Sequence, residues 1–77
     1  MAWVEIDCRQ MAPPEPMVQV LTALESLGKG DQVLMVHRHN PVHLLPILTA
    51  RGFSYRFRTC TESLVELLIW HKGSPEP

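Results

Sequence analysis

The sequence predicts a two-layer α/β sandwich with elements in the order β-α-β-α-β-β, and three observations predict it. Two stretches with helical apolar spacing, Met17 to Leu27 and Val42 to Leu48, each run into a glycine-containing exit and then into a strand-like segment. The last two strand-like segments are separated only by a short polar turn, so they form a hairpin. Two right-handed strand-helix-strand crossovers then place both helices on one face of the sheet.

Trp3 to Asp7 is short, rich in β-formers and weakly alternating, which suits a first strand leading into the Cys8 to Ala12 loop. Pro13, Pro14 and Pro16 mark a helix start, because proline fits only the first turn, where its missing N–H has no partner to lose. Met17, Val20, Leu21, Leu24 and Leu27 continue that helix from about Pro14 to Gly28. Gln32 to His37 carries Val33, Leu34, Met35 and Val36 without interruption, the pattern of a central strand buried on both faces. Asn40-Pro41 reads as a helix cap followed by a first-turn proline, and the apolar face then runs to Arg51-Gly52. Pro46 interrupts that pattern, so the helix either kinks or begins nearer Leu44. Phe53, Tyr55 and Phe57 alternate with Ser54, Arg56 and Arg58 in a third strand. Thr59 to Ser63 is the expected turn, Leu64 to Trp70 the expected last strand, and residues 73–77 a loose tail after a single domain spanning 1–72.

The 77 residues suffice for one domain that buries only about 60 % of its unfolded surface. A net charge of −1 lacks the basic excess of a dedicated nucleic-acid binder, so nucleic acid is not the expected partner. No apolar run approaches the roughly 20 residues that cross a bilayer, and no charged start precedes an apolar segment, so a cytoplasmic location away from membranes is expected. Cys8 and Cys60 form no CxxC pair and are expected as reduced thiols.

Ile6-Asp7, followed by Pro13-Pro14-Glu15-Pro16, resembles the CPxP helix start of the TusA/SirA-like superfamily, with Pro13 where those proteins carry cysteine. Leu27, Gly30-Asp31, Val33 to Val36, Asn40-Pro41, Pro46 and Gly52 extend the similarity over about Trp3 to His71. It is closest to a branch without that cysteine. The resemblance implies a mixed four-stranded sheet of order 1-2-4-3, with the last strand antiparallel to the rest. The ends of strands one to three and both helix starts then converge on one edge. It also implies a persulfide on the helix-start sulfur, favoured there by the helix dipole and free N–H groups. Position 13 has no sulfur to carry one, Pro14 and Pro16 remove N–H donors, and Glu15 adds a negative charge, so the anion site at this helix is blunted. His39-Asn40 replaces the family's acidic pair before the second helix.

The candidate functional edge therefore comprises Asp7, Cys8, Arg9, Pro13, Pro14, Glu15, His37, His39, Asn40 and His43. His37, His39 and His43 are weak metal-ligand candidates, since their spacing matches no metal motif. Cys8 offers a thiol for sulfur handling, with Arg9 the only cation adjacent in sequence. Arg38, Arg51, Arg56 and Arg58 invite an RNA-binding reading, because the same architecture occurs in an RNA-associated domain of a translation initiation factor. Cross-strand pairing of Arg56 and Arg58 with Glu62 and Glu66 explains two of them more simply. Trp3, Met11, Met17, Phe53, Phe57 and Trp70 are expected to close the core. No catalytic triad, carboxylate pair, P-loop or dinucleotide fingerprint is present, which argues against an ordinary enzyme and against a cofactor. The expected function is a noncatalytic module that binds a protein or small molecule, with a thiol protein using Cys8 as the alternative.

Overall fold

The computed structural model describes residues 3–77; residues 1 and 2 of the expected domain lie outside the described residues. The elements are β1 (Trp3–Asp7), α1 (Glu15–Glu25), β2 (Gln32–His37), α2 (Leu44–Ala50), β3 (Phe53–Cys60) and β4 (Val65–His71). β1 pairs parallel with β2, and β4 lies antiparallel between β2 and β3, giving the order β1-β2-β4-β3.

Proline chemistry positions both helix starts. Pro14 is the N-cap of α1 and Pro16 lies in its first turn, where neither deprives the helix of a hydrogen bond. α2 starts at Leu44 rather than at Pro41, because Asn40 and Pro41 form turns of their own. The Val42 N–H donates to Asn40 O at 2.9 Å, and the Leu44 N–H to Pro41 O at 2.9 Å. Asn40 is thus not the helix cap; His43 holds that position without a capping side-chain bond. Pro46 becomes the third helical residue, and no kink is needed. At the far end of α2, Gly52 takes φ 86°, a conformation glycine adopts without a Cβ clash, and turns the chain into β3.

Period-2 alternation divides the sheet into two faces. Ile6, Met35, Leu67 and Phe57 are in register across all four strands, as are Val4, Val33, Ile69 and Tyr55. This face packs against Val20 and Leu24 of α1 and Leu44 and Leu48 of α2, so both helices cover the same side. Leu34, Val36, Leu68 and Trp70 form a smaller buried cluster on the opposite face, which is why β2 reads as apolar throughout.

Several expectations are corrected. β3 continues to Cys60 because an irregularity between Phe57 and Thr59 restores pairing, with Thr59 opposite Glu66 and Cys60 opposite Val65. The turn is therefore tighter and is held by Thr61, whose N–H donates to Leu64 O at 2.8 Å and whose Oγ1 accepts from the Leu64 N–H at 3.0 Å. β4 begins and ends one residue later than expected. Arg56 pairs with Glu76 of the tail at 3.2 Å, while Glu66 accepts from the Thr59 hydroxyl at 2.7 Å, so the expected Arg-Glu hairpin pairs do not form. The tail also meets Arg56 through Pro77 O at 3.3 Å, and Ser74 to Pro77 wall a hollow beside Trp70. Trp70 is buried, but Trp3 is 47 % exposed because β1 is an edge strand with a neighbour on one side only. His71 donates from Nε2 to Leu27 O at 2.7 Å, tying the end of β4 to the exit of α1. Among the described residues no helix is long and apolar enough to cross a membrane.

Candidate functional site

β1 and β2 run parallel, so their carboxyl ends, the start of α1 and the loop entering α2 meet at one end of the helix-covered face. In an α/β sheet this is where ligands ordinarily find room, since loops there are free of packing duties. A cavity of about 650 Å³ lies at this end. One wall is the approach to α1, from Arg9 and Met11 through Pro13, Pro14 and Pro16 to Met17. The facing wall is the β2–α2 connection, from His37 and Arg38 through His39, Asn40, Val42 and His43. Met35 and Leu44, both buried, close it toward the core.

The predicted edge residues divide into those the cavity gathers and those it does not. Arg9, Pro13, Pro14, His37, His39, Asn40 and His43 all line it. Asp7, Cys8 and Glu15 do not.

Asp7 instead braces the loop after β1. Its carboxylate accepts from the Arg9 backbone N–H at 3.0 Å and from Arg9 Nε and Nη2 at 3.0 and 2.8 Å. Those bonds lower its pKa to about 2.

Cys8 is placed in the core rather than on the edge. It is fully buried, its N–H donates to Val36 O at 2.6 Å, and its side chain belongs to the helix-face cluster. Burial, followed by the charges of Asp7 and Glu15, pushes the thiol up to about 11. A thiol in that state is protonated at neutral pH and has no open path to a partner, so the reactive-Cys8 reading has no support in this geometry.

The histidines gather only in part. The His37 and His39 rings sit edge to face with centroids 5.7 Å apart, although the strand ends at His37. His37 Nδ1 is buried without a hydrogen-bond partner, and its pKa is lowered by burial first and then by the charges of His39 and Arg38. Among the described residues no three of His, Cys, Asp or Glu come together as a metal-holding group, so His37, His39 and His43 do not form a ligand set.

The apolar side of the site is only partly expected from the sequence, which places Pro13 and Pro14 on the edge but not Met17. Met11 and Met17 had been assigned to the core, yet each packs against it with one side and lines the cavity with the other. Val42, 54 % exposed, sits at the rim. Arg38 had been weighed only for RNA, although its position directly after His37 on the edge was the available signal. The four arginines of the RNA reading are dispersed: Arg38 lines the cavity, Arg51 caps α2, and Arg56 and Arg58 lie on β3.

No curated protein and no solved structure matches the chain. A family described as "Uncharacterized conserved protein (DUF2249)" matches residues 5–71, which takes in every element but the first two residues of β1, and the chain belongs to this family.

Proposed function

We propose that the protein is a noncatalytic binding module of TusA/SirA-like type that holds a small molecule at the carboxyl ends of β1 and β2. The cavity is the observation that carries this reading. Its volume of about 650 Å³ falls within the roughly 300–1,000 Å³ range of small-molecule sites. Its composition is also that of such sites, an apolar lining with polar side chains gathered mostly on the β2–α2 wall. The similarity of the Pro13-Pro14-Glu15-Pro16 helix start to the CPxP motif supports the same location. The replacement of the sulfur-bearing residue by Pro13 supports binding over sulfur transfer.

The test is amide chemical-shift mapping with a fragment library, together with intact-mass spectrometry of protein purified under mild conditions. Shifts should concentrate at residues 9–17 and 35–44, and His39→Ala or His43→Ala should weaken the responding fragments while leaving the melting temperature unchanged. Shifts concentrated around Arg56 and Arg58 would move the binding surface to the other face of the sheet. A persulfide mass on Cys8 would overturn the noncatalytic reading.

A further inference from the structure

We infer that the cavity selects organic anions with an apolar body, such as an alkyl carboxylate, with the charged head held at the Arg38 wall and the apolar body against the proline and methionine wall. This inference rests on the small-molecule reading above and specifies the chemistry of its ligand.

The charge of the lining is one-sided. Arg9 and Arg38 line the cavity together with three histidines, and no aspartate or glutamate does. The two cations are not equivalent. Arg9 is engaged by Asp7 through both Nε and Nη2, so its charge is met at close range. Arg38 is exposed and makes no hydrogen bond or ion pair with any described residue. A carboxylate entering the cavity therefore meets an uncompensated guanidinium, whose planar fork matches its two oxygens. Burial lowers the pKa of His37 and favours its neutral form, so His37 adds little charge beside Arg38.

The opposite wall suits the anion less well, because its one cation, Arg9, is already met by Asp7, and this sets the ligand's direction. Pro14 and Pro16 have no N–H, and the Glu15 N–H is already donated to Ala12 O at 2.9 Å, so the start of α1 offers fewer donors than the helix N-termini that serve as anion sites. Glu15, exposed in the same turn, repels a negative head from that side. Beyond Arg9 and Gln10, what the wall offers is apolar surface: Met11, Met17 and the proline rings. Methionine is unbranched and polarisable, so it conforms to chains of varied shape.

The test uses three probes with one eight-carbon tail and different heads: octanoate, octanol and octylammonium. Affinities for the full chain are read by titrating amide shifts of residues 35–44 at pH 7.5 and low salt. Octanoate should bind at least tenfold tighter than octylammonium, with octanol between. Arg38→Gln should bring octanoate down to the level of octanol, and Arg38→Glu should invert the order. Arg58→Gln, which removes an exposed cation outside the cavity, should leave the order intact. If all three probes bind with equal affinity, or Arg38→Gln leaves the octanoate preference intact, the anion inference is overturned while the cavity reading stands. If none shifts the cavity residues, both are overturned. Thermal melts of each variant confirm that the comparison is made on folded protein.

Discussion

The two cysteines separate at the level of single residues. Cys8 is buried with its pKa pushed up to about 11, whereas Cys60 is exposed. One thiol should react with a disulfide reagent at pH 8 in native protein, and two after denaturation. Rapid labelling of both in the native state would contradict the burial of Cys8. The same shift sets a pH window. The unfolded thiol ionises near its ordinary value of 9.0 and the folded one near 11, so stability from this group is complete below pH 9 and is lost as pH rises toward 11. Cys8→Ala should flatten that alkaline decline in thermal melts relative to wild type. Pro13 gives a complementary case, being exposed on the cavity wall. Pro13→Cys should place a thiol beside Glu15 on the wall that suits an anion less, so its iodoacetamide rate at pH 7 should not exceed that of exposed Cys60. A rate well above that of Cys60 would mean that this wall does favour an anion.

Among the elements, the two helices carry different shares of the core. Leu48 of α2 is fully buried, whereas Leu45 is only partly so. Leu48→Ala should therefore destabilise the domain by roughly 2–5 kcal/mol through the cavity it leaves, and Leu45→Ala by less. Denaturant titration would rank them; equal losses would mean that α2 packs with a different face. Leu34, in the smaller cluster on the opposite face, should resemble Leu48, because its 2 % exposure leaves it no better able to relax.

The elements were also where the sequence was most legible. Unbroken β-branched and apolar runs set the limits of β2, and prolines with glycines set the starts and stops of α1 and α2. The extension of β3 to Cys60 was hidden because an irregularity breaks the alternation by which strands are recognised. Sheet order came from family resemblance alone, since periodicity carries no information about which strands are neighbours. The polar side of the cavity was legible as chemistry converging on strand ends. Its apolar side was legible only at Pro13 and Pro14, because Met11 and Met17 obey the same helical or loop spacing whether they face a core or a void. Cys8 was misplaced for a related reason: one residue beyond a short strand, its direction depends on the hydrogen bond its N–H makes to Val36 O.

For the molecule as a whole, the sheet face without helices is closed partly by the chain's own end. Glu76 and Pro77 contact Arg56, and Ser74 to Pro77 flank Trp70. The contacts are exposed and each contributes at most about 1 kcal/mol. Removing residues 74–77 should therefore lower stability by no more than about 2 kcal/mol, yet shift Trp70 emission to the red. Trp3→Phe provides the background in which Trp70 is the only tryptophan. Unchanged emission would show that the tail does not shield the indole.

The position of β4 has a consequence in time. It is the last strand along the chain but an inner one in the sheet, hydrogen-bonded on one side to β2 and on the other to β3. Until it is made, the β1–β2 pair and β3 share no hydrogen-bonded border, and β3 has no strand partner at all. A growing chain can thus pair β1 with β2 but cannot join β3 to them until residues 65–71 slot between β2 and β3. Completion of the sheet is therefore expected only after residues 65–71 have been made. A fragment ending at Ser63 should show random-coil amide dispersion, and adding a peptide of residues 64–77 should restore native shifts in both halves of the sheet together.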